Sequence, residues 1–153
     1  MTRSSNVKLF RLMCLATLIT TQIRATQPLE FKPASGPRAV AQCGDEFVVC
    51  EEAGDAAEGM EMVRELRPDA VIVDVGLPGG EDGIALTEKL VAEFPAIVVL
   101  ILSAHDEPEY AQRAAAAGAM GYVLKNDAVD TLRMALRNAF KGKRTFRDEI
   151  GNF

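Results

Sequence analysis

Cysteine, histidine, positive charge and long apolar runs are all scarce in this chain, and so is acid in its first third. The three cysteines (Cys14, Cys43, Cys50) lack metal-type spacing and read as unpaired thiols of a reducing cytoplasm. The one histidine, His105, reads as an exposed loop residue rather than a catalytic base. Lysine and arginine total 17 against 22 acids, a net charge of −5, which argues against a general nucleic-acid face, since that needs a basic surface. The apolar stretch Leu12 to Ile19 is too short to span a membrane as a helix. Placed behind Arg3, Lys8 and Arg11 it has the pattern of a short signal peptide. A buried strand is the preferred reading, because the remainder has the character of a cytoplasmic domain. Residues 1–44 contain a single acid, Glu30.

What is present is an ordinary globular composition, 48% apolar and 25% charged over 153 residues, enough for one domain with a real core. The chain is organised around Asp69 to Gly83. Ala70 to Val73 has the apolar, β-branched composition of a strand buried on both faces of a parallel sheet. Asp74 stands where that run ends, and Gly76, Pro78, Gly79, Gly80 and Gly83 then forbid continuation. One carboxylate is thereby placed at the carboxyl end of a buried strand, the edge where open α/β sheets do their chemistry.

Elsewhere the pattern alternates. Phe47 to Cys50 reads as a strand. Asp55 with Glu58 resembles a capping box, opening a helix with Met60, Val63 and Leu66 on one face and Pro68 beyond its end. Ile84, Leu86, Leu90, Val91 and Phe94 mark a helix closed by Pro95, and Ala96 to Leu102 a strand ending at Ser103. Pro108 opens an alanine-rich helix with Gly118 as its cap. Gly121 to Leu124 is a strand ending at Lys125. Asn126 or Asp127 caps a last helix whose Val129, Leu132, Leu136 and Phe140 share a face, with Lys141, Lys143 and Arg144 at its negative end. Such alternation means a parallel sheet covered by helices. Met60, Met62 and Met134 are core or surface filler. Residues 1–44 are an atypical N-terminal segment, 45–141 the domain proper, and 142–153 a C-terminal tail.

Three successive strands thus end in Asp74, Ser103 and Lys125. If they lie side by side about 4.8 Å apart, the two short side chains are neighbours and the lysine stem crosses the longer gap. A carboxylate, a hydroxyl and a cation converging on one edge suit a phosphoryl group. Each alone has a blander reading, as a helix cap, a turn residue or a surface charge, but the coincidence of three points to a site.

The segments Glu51–Asp55, Arg67–Asp74, Leu77-Pro78-Gly79, Leu102–Asp106 and Ala117–Lys125 together resemble a response-regulator receiver domain of two-component signalling, in the style of receivers that precede a helix-turn-helix. The resemblance spans Phe47 to Phe140. It implies a flavodoxin-like, doubly wound five-stranded parallel sheet in order 2-1-3-4-5, and we expect part of Leu9 to Ile23 to supply the atypical central first strand. It implies Asp74 as phospho-acceptor, Ser103 as the hydroxyl bonding the phosphoryl group, Ala104 as the small neighbour leaving it room, and Lys125 as its charge partner. It further implies Tyr122 as the aromatic that swings inward on activation, and Asp74 with the Gly76 carbonyl as ligands of Mg²⁺. For Tyr122, a half-buried ring with a wet hydroxyl is an equally good reading.

The chain departs from that pattern where receivers carry an acidic pair after the central strand. Counting back reaches Gln27-Pro28, and Asp45 and Glu46 stand before the second strand, at the wrong edge. The departure fits a degenerate receiver or a start replaced by a shift of reading frame. The expected function is a single-domain cytoplasmic receiver in a phosphorelay, accepting phosphate from a sensor histidine kinase or phosphotransfer protein. It would not be an enzyme beyond weak autophosphatase activity. A homodimer or an effector protein is a possible further partner, with neither nucleic acid nor membrane involved. The competing class is a phosphate-independent interaction module. A phosphatase of the haloacid-dehalogenase type ranks low, since it needs a second Asp where Gly76 stands.

Overall fold

In the computed structural model, residues 10–15, 47–127 and 129–146 are described. Five strands, β1 (Phe10–Leu15), β2 (Phe47–Glu52), β3 (Ala70–Asp74), β4 (Val98–Ser103) and β5 (Gly121–Leu124), form one sheet. Its order is β2-β1-β3-β4-β5, and every pairing is parallel. The central strand does come from the early apolar stretch: Leu12 to Leu15 lie opposite Ala70 to Val73. A register shift between Leu12 and Met13 brings Glu51 and Glu52 into pairing with Met13 and Cys14. That is why β2 runs two residues beyond the expected Cys50. Gln27-Pro28, Glu30, Asp45, Glu46 and Cys43 lie outside the described residues.

β3 is buried throughout, with Ala70, Val71, Ile72 and Val73 fully covered. Each of the three larger side chains contributes about 1.5–3 kcal/mol by leaving water. Helices α1 (Ala56–Leu66), α2 (Gly83–Glu93) and α3 (Pro108–Ala116) share one core cluster with Val71, Val73, Val99, Ile101 and Tyr122. Helix α4 (Val129–Ala139) packs Leu132, Ala135 and Leu136 on the opposite face, against Ile72, Leu100 and Val123.

The ends of α1, α2 and α3 follow the sequence signals, with one adjustment in the α1 cap and one at the start of β4; the cap that Asn126 or Asp127 is expected to give α4 adjoins residue 128 and falls outside the described residues. Asp55 caps α1 by accepting the Glu58 N–H at 2.8 Å, while the Glu58 carboxylate takes the Gly54 N–H at 2.6 Å, one residue before the position a capping box uses. β4 starts at Val98 rather than Ala96, because the Ile97 N–H turns back to the Phe94 carbonyl at 3.0 Å. Gly118, at φ +94°, ends α3 in a Schellman turn: its N–H bonds the Ala115 carbonyl and that of Ala119 bonds Ala114. An α1–α2 bridge, Arg64 Nε to Glu93 Oε1 at 2.6 Å and Nη2 to Oε2 at 2.8 Å, lies on the surface. The Arg64 guanidinium bonded to it holds the Glu93 carboxyl below the usual range.

Candidate functional site

The carboxyl edges of β3, β4 and β5 bring together the three residues singled out in the sequence. Asp74 is opposite Leu102, and Ser103 opposite Leu124, so Lys125 begins one residue past the end of its strand. From there its stem reaches back, and Lys125 Nζ pairs with Asp74 Oδ2. The pair is sheltered, its side chains 23% and 6% exposed respectively. A carboxylate that buried requires a partner, since charge removed from water is otherwise costly. The other oxygen, Oδ1, accepts the Gly76 N–H at 3.2 Å.

Ser103 is fully buried. Its Oγ accepts the His105 N–H at 3.0 Å, and the His105 carbonyl accepts the Tyr122 hydroxyl at 2.7 Å. Tyr122 is buried at 4% exposure. Burial pushes its phenol above the ordinary 10.0, partly offset by a hydrogen bond with Ser103. Ala104, next to Ser103, is exposed. The His105 ring lies on the surface, stacked on Tyr110 with centroids 4.5 Å apart.

Three further residues, to which sequence reading gave no role at the site, shape the loop after β3. Gly83 sits so close to β3 that a Cβ would overlap the Asp74 carbonyl oxygen and lie 2.8 Å from its carbonyl carbon. Its N–H bonds the Val75 carbonyl at 2.8 Å. Asp82 pairs through its backbone with Gly76, caps α2 through Oδ1 on the Ile84 N–H at 2.8 Å, and holds Arg113 of α3 through Oδ2 at 2.6 Å. Glu81 Oε2 accepts the Ala56 N–H at the start of α1, at 3.1 Å. Gly83 had a signal, the run of breakers around it. The long-range partners of Asp82 and Glu81, 31 and 25 residues away, had none.

A strand-end carboxylate met by a lysine from two strands away, beside a buried hydroxyl, matches the site that the motifs foreshadowed. The profile of the response regulator receiver domain matches residues 37–137, about two thirds of the 153. The chain belongs to the response-regulator receiver family.

Over 99 residues, 65% of its length, the receiver is 36% identical to the oxygen regulatory protein NreC of Staphylococcus haemolyticus, covering 46% of that protein. It thus spans about half the length of the curated relatives it matches. A crystal structure of a two-component response regulator of the LuxR family from Aurantimonas superposes with a TM-score of 0.74 at 27% identity, covering 93% of this chain and 92% of that one. The signal receiver domain of NarL from Mycobacterium tuberculosis superposes at TM-score 0.68 and 23% identity, covering 89% and 99%. At that identity it supports the fold alone. Among the described residues no helix is long and apolar enough to cross a membrane.

Receivers as a family bind Mg²⁺, but the donors among the described residues do not fit it. Among the described residues no three His, Cys, Asp or Glu cluster as ligands. β1 ends opposite Val73, and from Phe10 to Leu29 the sequence has no Asp or Glu. Of the donors that the resemblance assigns to the ion, the described residues supply Asp74, already paired with a lysine, and the Gly76 carbonyl. A hard dication held by oxygens wants more carboxylate than this.

Proposed function

We propose that this receiver accepts a phosphoryl group on Asp74 from a sensor histidine kinase or phosphotransfer protein, and does so slowly. The observation that carries the reading is the sheltered Lys125–Asp74 pair beside Ser103. In the transfer, an Asp74 carboxylate oxygen attacks the phosphorus of a phosphohistidine, a P–O bond forms, the P–N bond breaks and imidazole leaves. The product adds a charge of about −1.5 to −2, answered by the Lys125 ammonium and the Ser103 hydroxyl. The slowness follows from electrostatics. Bringing a phosphoryl donor to a carboxylate gathers negative charge, and among the described residues Lys125 is the one cation paired with Asp74. The chain acts as an acceptor with at most weak self-dephosphorylation, in the cytoplasm, and its acidic balance argues that this part of the protein does not itself hold duplex DNA.

The second reading is a phosphate-independent interaction module. The observation favouring it is that Lys125 already neutralises Asp74 in the resting chain. Incubation with acetyl phosphate, with and without Mg²⁺, read by intact mass, separates the two. Slow uptake by the parent that is lost in Asp74→Asn supports the acceptor role. No uptake over hours supports the module, and equal labelling of Asp74→Asn removes Asp74 from the mechanism.

A further inference from the structure

The outer edge of β5 is covered by the chain's own C-terminal segment. After α4, the Gly142 N–H bonds the Ala139 carbonyl and the Lys143 N–H bonds Asn138, both at 2.9 Å. With Gly142 at φ +74°, this is a Schellman turn. It sends the backbone back along β5, where Thr145 forms a parallel bridge with Gly121. The Thr145 N–H donates to the Met120 carbonyl at 2.9 Å, and its carbonyl accepts the Tyr122 N–H at 3.0 Å.

This is a fitted seat and not a loose overlay. Thr145, a polar residue beyond the last helix, is only 4% exposed, and its Oγ1 accepts from Asn138 Nδ2 at 3.2 Å. Phe146 packs against the core cluster that contains Tyr122 and Ala119. The seat exists because residue 121 is glycine: a Cβ there would lie 2.9 Å from the Thr145 carbonyl oxygen. The next edge donor, the Leu124 N–H, is taken by Asp127 Oδ2 at 3.1 Å. Backbone groups that an edge strand would otherwise offer to another chain are answered from within.

One residue joins this seat to the phosphoryl site. The backbone N–H of Tyr122 is bonded to the strap, while its hydroxyl is bonded to the His105 carbonyl. The N–H of His105 is in turn bonded to Ser103 Oγ. We propose that Lys141–Phe146 is a docked output strap: the β5 edge is a binding surface for this segment, and how firmly the segment is seated depends on the position of the Tyr122 ring. Everything beyond residue 146 is attached through it, so a change at the site that moves the ring changes how the following chain is held. Coupling of this kind is mutual. Loosening the strap loosens the ring, and freeing the ring loosens the strap.

The test uses the full chain and no phosphodonor, so its outcome is separate from that of phosphate uptake. Tyr122→Phe keeps the ring and removes the bond to His105. By amide hydrogen exchange, the Thr145 N–H is expected to exchange faster relative to Leu90 in α2 by about fivefold, the ratio one net hydrogen bond allows. An unchanged ratio overturns the proposal. In the reverse direction, Tyr110→Phe leaves Tyr122 as the one tyrosine in a chain without tryptophan. Adding Thr145→Pro removes the donor to Met120 and is expected to raise acrylamide quenching of Tyr122 fluorescence. Asn138→Ala replaces it should the proline variant fail to fold. Quenching equal to that of Tyr110→Phe alone overturns the proposal.

Discussion

Removing the Lys125 ammonium is expected to destabilise this receiver more than removing the Asp74 carboxylate that it pairs with. The asymmetry comes from burial: the Asp74 side chain is 6% exposed and that of Lys125 is 23%. Lys125→Met leaves a carboxylate with the Gly76 N–H but no cation. Breaking a buried pair from one side costs about 3–5 kcal/mol, and the partial exposure places this case at about 3 kcal/mol. For a domain of this size that is a fall in Tm of more than about 10 °C. Asp74→Asn leaves the lysine, whose long stem lets the ammonium reach water, so its cost is about 1 kcal/mol. The double variant should cost less than the sum of the two by about 1–2 kcal/mol, since residues in contact are not additive. Urea unfolding followed by far-ultraviolet circular dichroism measures all three. The sign for Asp74→Asn is the sharpest point. Where several carboxylates crowd one site, neutralising one relieves repulsion and stabilises. Here residues 10–29 bring no acid, so a rise in the urea midpoint for Asp74→Asn would mean that other carboxylates do crowd Asp74. Additivity within about 0.5 kcal/mol would mean that the pair is not formed in solution.

Three further outcomes follow from the geometry. Gly83→Ala puts a methyl group into the Asp74 backbone, and forcing α2 off the end of β3 should cost about 1–3 kcal/mol and slow any phosphate uptake; unchanged melting would contradict the close approach. The Tyr122 phenol is raised above 10.0 by burial; because its folded value exceeds its unfolded one, its contribution is complete below about pH 10 and lost as pH climbs through the folded value. Tyr122→Phe should accordingly flatten the alkaline fall in stability, and an identical fall would refute the assignment. Arg113→Gln breaks an exposed pair, its side chains 54% and 41% exposed, and should change stability by no more than about 1 kcal/mol; a larger loss in a denaturation curve would make the Asp82 hub more than a surface link.

Local chemistry determined much of this protein. The apolar, β-branched runs at Ala70–Val73 and Val98–Leu102 could satisfy their composition only as buried parallel strands, and the breakers after Asp74 had to leave it at a strand end. Ser103 and Lys125 were legible for the same reason, because each stands where an apolar run stops. Pairing is non-local, and there the sequence said less. The sequence had pointed to Leu9–Ile23 for the central strand, but tertiary structure alone decided that the paired part is Phe10–Leu15, with a register shift that lengthens β2. It alone joined Asp82 to Arg113 and Glu81 to α1 across 31 and 25 residues. The segment after α4 read as a tail because its short run of lysine, arginine and threonine carries no strand pattern. Folding places Thr145 beside a strand edge with unmet hydrogen bonds and a glycine that makes room for it, and a polar segment is buried there because the backbone groups it satisfies cannot be left dry.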